Sequence, residues 1–155
     1  MWYILIREPI KLARAEEGIP MSYKTDFMAW AEEQADALRR RSVNELDWEN
    51  LVEEIESLGI NQKHEVTSRL MRICEHLLKL AYLSDPYSEN NWKNTVIEQR
   101  FQLEDRITSS PSLRPYAISQ LDKAYRRGCK QVSHPNLPTT CTWTIEQILD
   151  EDFWP

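Results

Sequence analysis

The strongest constraint on the fold is an apolar run in the middle of the chain. Val66, Leu70, Ile73, Leu77, Leu80 and Ala81 recur every three or four residues until Asp85-Pro86. That spacing places side chains on one face of a 3.6-residue helix, and a proline disfavours helical backbone in the residue before it. A helix over about 66–81 with one buried face is therefore predicted. A β-rich fold is disfavoured by the same sequence, because only 3 Gly in 155 residues leave few positions for the positive-φ turns that hairpins need.

Other segments repeat the helical pattern. Thr25 is a suitable N-cap for a stripe of Phe27, Trp30, Ala31, Gln34 and Leu38, and the basic run Arg39–Arg41 suits the negative end of that helix. Asp47 caps DWENLVEEIESLG, where Leu51, Ile55 and Leu58 form the stripe and Gly59 stands where a left-handed C-cap is wanted. Ser88 or Asn90 begins a helix carrying Trp92, Val96, Leu103 and Ile107, with Arg100 interrupting its apolar face. Ser110-Pro111 starts the next, through Leu113, Ala117, Leu121, Ala124 and Gly128. Thr144 to Gln147 spells a capping box for a short last helix before the aromatic tail Phe153-Trp154-Pro155. The expected fold class is all-α: a single helical bundle of five to six helices, mostly antiparallel neighbours. It occupies residues 21–155, preceded by an extension over 1–20 of the kind an upstream start codon would add.

Charge and cysteine usage narrow the function classes. A net charge of -6 opposes a surface built throughout to neutralise nucleic-acid phosphates, which disfavours nucleic acid as a partner without excluding a local basic face. Cys74, Cys129 and Cys141 are an odd, widely spaced set without CxxC pairs, so free thiols in a reducing cytoplasm are expected. No stretch reaches the roughly 20 apolar residues of a membrane helix, and the early WYILI run is too brief for a secretory signal.

Several blocks, TDFMAWAEEQADALR, LDWENLVEEIESLG, HLLKL, WKNTVIEQR, SPSLRPY and CTWTIEQILDEDFWP, agree in order and spacing with a known pattern. From about Tyr23 to Pro155 the sequence resembles the bacterial domain-of-unknown-function family 29, with modest departures at Lys24, Thr95-Val96 and Thr142. The resemblance implies a small all-helical bacterial domain and brings no mechanism with it.

Standard catalytic signatures are missing: there is no phosphate-binding glycine loop, GxSxG or HExxH, and no His pair at zinc spacing. No cofactor is expected. What can be singled out is a polar set at helical spacing, Asn50, Glu53 and Glu54 on one helix, His76 and Lys79 on the next, and Arg100 on the fourth. If these helices pack as antiparallel neighbours, Glu54, His76 and Arg100 converge inside the bundle, where such folds build sites. The preferred reading is a buried network of Asn50, Glu54, His76, Lys79 and Arg100 in which Arg100 grips Glu54 bidentately. The expected function is then protein–protein interaction or self-association without catalysis. The alternative is a metal-assisted hydrolase of phosphodiesters using Glu53, Glu54 and His76, although Glu75-His76 lacks the Glu-x-x-His spacing of di-metal bundles. Lys123, Arg126, Arg127 and Lys130 form a basic set read mainly as a solvated face, with phosphate binding as the minor reading. Trp48, just after the helix cap, is expected to be exposed.

Overall fold

A computed structural model describes residues 21–155, apart from the side chains of residues 21 and 22. The expectation for residues 1–20 lies outside the described residues. Within them are six α-helices, one 3-10 turn and no strand: α1 (Met21–Thr25), α2 (Phe27–Arg40), the turn Val43–Glu45, α3 (Trp48–Tyr82), α4 (Pro86–Ser109), α5 (Leu113–Val132) and α6 (Ile145–Leu149). The fold is all-α. No described helix is long and apolar enough to cross a membrane.

Several boundaries differ from the sequence expectation. The largest change is at Gly59, which does not end a helix: the segments expected as two helices are one helix of 35 residues, and no glycine has positive φ. Residues 60–65, INQKHE, contain no proline. An interior glycine costs about 1 kcal/mol of helix propensity, less than exposing the unsatisfied amides and carbonyls of two new helix ends. Asp85-Pro86 ends α3 and also starts α4: the Asp85 carboxylate accepts from the Tyr87 amide, and Pro86 occupies the first turn, where its missing N–H is harmless. Helix α2 is capped by Asp26, whose side chain accepts from the Ala29 amide at 3.0 Å, so the cap lies one residue after Thr25. Helix α5 begins at Leu113, two residues beyond Pro111.

Contacts divide the chain into two compact units, Met1–Glu54 and Ile55–Pro155. In the described part of the first unit, only Trp30, Gln34 and Ala37 are buried. Trp30 meets the ring of Tyr23 edge-on at 4.7 Å and that of Phe27 at 5.5 Å. Arg41 closes α2 in a left-handed conformation, φ 57°, with its amide turned back to Ala37 and Leu38.

The second unit holds the apolar core. Val66, Leu70, Ile73, Leu77 and Leu78 of α3 pack with Val96, Leu103 and Ile107 of α4 and with Ala117, Leu121 and Tyr125 of α5. Arg69 bonds to Gln99 and Gln102, while Glu65, one turn earlier on α3, pairs with Arg106, later on α4, so these helices run antiparallel. Thr67 meets Tyr116, and Gly128 lies against the backbone of Cys74 and Glu75, so α3 and α5 run parallel. A Cβ at Gly128 would stand 3.0 Å from the Glu75 nitrogen, which is why this crossing takes glycine. Helix α6 carries the expected capping box and buries Ile145 and Ile148. Trp143 packs edge-on against Tyr125 at 5.2 Å and Phe153 at 6.0 Å.

Candidate functional site

In the first unit a polar hub forms at the start of α3. The Asp47 carboxylate accepts from Trp30 Nε1 at 3.2 Å, from the Asn50 side chain at 2.6 Å and from the Asn50 amide at 3.3 Å. Gln34, buried on α2, accepts from the Asp47 amide at 2.7 Å and donates to the Glu45 carbonyl at 3.4 Å. Asp47 is thus both helix cap and bracket: its backbone and side chain hold the face of α2 that carries Trp30 and Gln34. Asn50 belongs to this hub. Glu54 accepts from the Tyr23 hydroxyl at 2.8 Å. That bond, followed by burial and the charge of Glu53, pushes the Tyr23 pKa up to about 12. Glu53 is exposed.

The other candidates lie in the second unit. Arg100 is 2% exposed, and its guanidinium serves the end of the chain: Nε donates to the Ile148 carbonyl at 2.7 Å, one terminal nitrogen to Phe153 at 2.7 Å and the other to Glu151 at 3.4 Å. Trp154 covers it, with its ring 4.9 Å from the guanidinium carbon. The expected Glu54–Arg100 grip is therefore not formed. Carbonyls left without amides at and beyond the C-terminal end of α6 take the place of a carboxylate, with the favourable end of the helix dipole behind them. Burial lowers the pKa of Arg100, opposed by the charges of Asp150 and Glu151.

His76 is buried with Nδ1 lacking a hydrogen-bond partner among the described residues. Burial, then Lys79, lowers its pKa, Glu75 opposes, and Arg72 lowers it further. Lys79 pairs with Glu75 at 2.6 Å. Glu54 and His76 stand on one uninterrupted helix, so no turn between helices brings Glu53 or Glu54 back to His76, as the hydrolase reading required. Among the described residues, no group of three or more His, Cys, Asp and Glu side chains is placed to hold a metal ion. The three cysteines are free, and burial raises the pKa of each thiol.

The helices, caps and aromatic tail thus match the blocks of sequence that carried the family resemblance. The model of the family described as domain of unknown function DUF29 matches residues 22–154. The chain belongs to this family. No curated protein and no solved structure matches it.

The DUF29 description assigns no activity, so the chemistry of this member is read from its own side chains. Sequence reasoning missed two features. One is the Trp30–Gln34–Asp47 bracket. Its signal was a Trp and a Gln four residues apart on one helix face, ahead of a capping Asp. The other is a groove between α3 and α5 lined by His64, Thr67, Ser68, Tyr116, Gln120, Lys123 and Arg127 over Met71. The basic character of α5 was visible in sequence, but its polar neighbours on α3 were not.

Proposed function

We propose that this DUF29 chain is a cytoplasmic interaction module without catalysis of its own, and that it binds a second copy through its first unit. The observation carrying this reading is the exposure of that unit's large apolar side chains. Phe27, Met28, Leu38, Val43, Trp48 and Val52 are each between 47 and 65% exposed. Large apolar side chains left open in this way are surface that a partner would cover, and the described part of the unit, with only Trp30, Gln34 and Ala37 buried, buries too little to be self-sufficient. Pairing with a copy is favoured by charge order along α2, where Glu32, Glu33 and Asp36 precede Arg39, Arg40 and Arg41. Two such helices placed antiparallel about a two-fold axis set acidic turns against basic ones. The internal pairs of these arginines, Arg39–Asp36 and Arg40–Glu45, are exposed and contribute little, so they exchange readily for contacts with a partner. Three free thiols suit a reducing compartment.

Sedimentation equilibrium tests the proposal. The wild-type chain is expected to be a dimer at about 100 µM, a concentration that reveals even weak association. Trp48→Glu combined with Val52→Glu is expected to be monomeric with unchanged helical content. A wild-type chain that sediments as a monomer throughout this range overturns the self-association reading.

A further inference from the structure

We propose that the groove between α3 and α5 is a binding site for the phosphate group of a small phosphorylated ligand. It lies wholly in the second unit and has a volume of about 280 Å³. Its wall on α5 carries Lys123 and Arg127, one helical turn apart, with Gln120 and Tyr116 nearer the start of that helix; its wall on α3 carries His64, Thr67, Ser68 and Met71.

Charge pairing separates this groove from an ordinary solvated face. The carboxylates near it already have cations: Asp122 pairs with Arg126, Glu75 with Lys79, and Glu65 with Arg69 and Arg106. No carboxylate lines the groove, and neither Lys123 nor Arg127 has an ion pair among the described residues. In a chain of net charge -6, two unneutralised cations one turn apart beside hydroxyl, amide and imidazole donors form a local anion trap.

The framework around it is fixed at both ends. Gly128 brings α5 against the α3 backbone at Glu75, and the Thr67–Tyr116 hydroxyl bond at 3.2 Å, with Lys63 5.7 Å from the centre of the Tyr116 ring, ties the other end. A second cleft of about 290 Å³ shares Lys123 and Arg127 and adds Lys130 with the Asp122–Arg126 pair, so the cations continue along the ridge but a carboxylate accompanies them there. The volume suits a phosphate bearing a small organic group, and the overall negative charge opposes a long polyanion.

The test is a nuclear magnetic resonance titration of the full chain with inorganic phosphate and then pyrophosphate, with ionic strength held constant by sodium chloride. Saturable shifts are expected around Ser68, Gln120, Lys123 and Arg127, with pyrophosphate the tighter ligand. Lys123→Gln and Arg127→Gln should each weaken binding by about tenfold or more, the loss of a hydrogen bond to a charged group. Lys93→Gln, on α4 and paired with Glu89, should leave it unchanged. Shifts that never saturate, or that persist undiminished in both groove variants, overturn the proposal. So does tight, steeply salt-dependent binding of a single-stranded oligonucleotide without saturable pyrophosphate binding, which would assign the ridge to nucleic acid.

Discussion

The two units differ in what they bury, although both leave large apolar side chains exposed, Tyr87 and Phe101 among them in the second. In the second, α3, α4, α5 and α6 bury Leu70, Ile73, Leu77, Leu103, Tyr125 and Ile148 almost completely, and a buried arginine fastens the chain end over them. Among the described residues of the first, one tryptophan, one glutamine and one alanine are buried, while Met28, Trp48 and Val52 stand open. Similar helical periodicity in sequence thus produces a closed core in one place and an open face in the other. The difference lies in the elements that cover a stripe: α3, α4, α5 and α6 pack together in the second unit, whereas in the described first unit α2 packs with the short α1 and the 3-10 turn. A helical stripe states which residues share a face, and a covering element decides whether that face is dry.

Polar anchors follow the same division, and replacing them gives the largest expected contrast. Arg100→Leu leaves the carbonyls of Ile148, Glu151 and Phe153 without their donor and Trp154 without its cation. The expected loss is about 3–5 kcal/mol, as for other buried charged groups whose partners are stranded. In a unit of this size that lowers the melting temperature by on the order of 10–20 °C. Arg100→Lys keeps the charge but lacks the planar fork that reaches three acceptors, and should recover only part of the loss. Thermal unfolding followed by near-ultraviolet circular dichroism reads both variants. A melting temperature for Arg100→Leu within about 2 °C of wild type, less than 1 kcal/mol on the same scale, would show that the tail is held by its aromatic packing alone.

The fate of Arg100 also marks the limit of what the sequence disclosed. Helix class, the capping box at Thr144 and the core stripe of 66–81 were legible because each depends on local spacing. That Arg100 faced inward was legible too, from its place on the stripe of Val96 and Leu103. Its partner was not. Backbone carbonyls have no signature in sequence, so a carboxylate, Glu54, was the natural choice. The choice also assumed a break at Gly59, and with α3 continuous there is no turn to fold Glu54 back against the core. The groove around Lys123 was half visible for a related reason: helical spacing groups Lys123 with Arg127, but only the packing of α5 against α3, close at Gly128, puts Ser68 and His64 in the same groove.

A smaller effect is expected from the anchor of the first unit. Asp47→Ala removes a helix cap together with the acceptor of Trp30 Nε1. Caps of this kind contribute about 0.5–2 kcal/mol. Because the described first unit is open, the loss should appear as local opening and not as a lower global midpoint. Hydrogen exchange is the measurement: amides of Asn50, Leu51 and residues 30–37 should exchange faster, while those of Leu70, Ile73 and Leu103 keep their protection. Equal acceleration in both groups would mean that the two units unfold as one, and the contrast between them would lose its energetic meaning.

The smallest effect is expected at Gly59, the residue whose sequence reading failed most plainly. It lies inside α3, its φ is not positive, and a Cβ built there meets nothing within 4 Å. Nothing in its surroundings therefore requires glycine, in contrast to Gly128, where the Glu75 nitrogen would lie 3.0 Å from the new atom. Gly59→Ala should stabilise the chain by about 0.5–1 kcal/mol, through higher helix propensity and a less flexible unfolded state. Gly128→Ala should move stability the other way, because the α3–α5 crossing must open to admit the methyl group. Urea unfolding of the pair gives two changes of opposite sign if this reading is right. A destabilising Gly59→Ala would mean that α3 bends or is contacted at this position, and its exposed neighbours Ile55, Leu58 and Ile60 would then be the next residues to substitute.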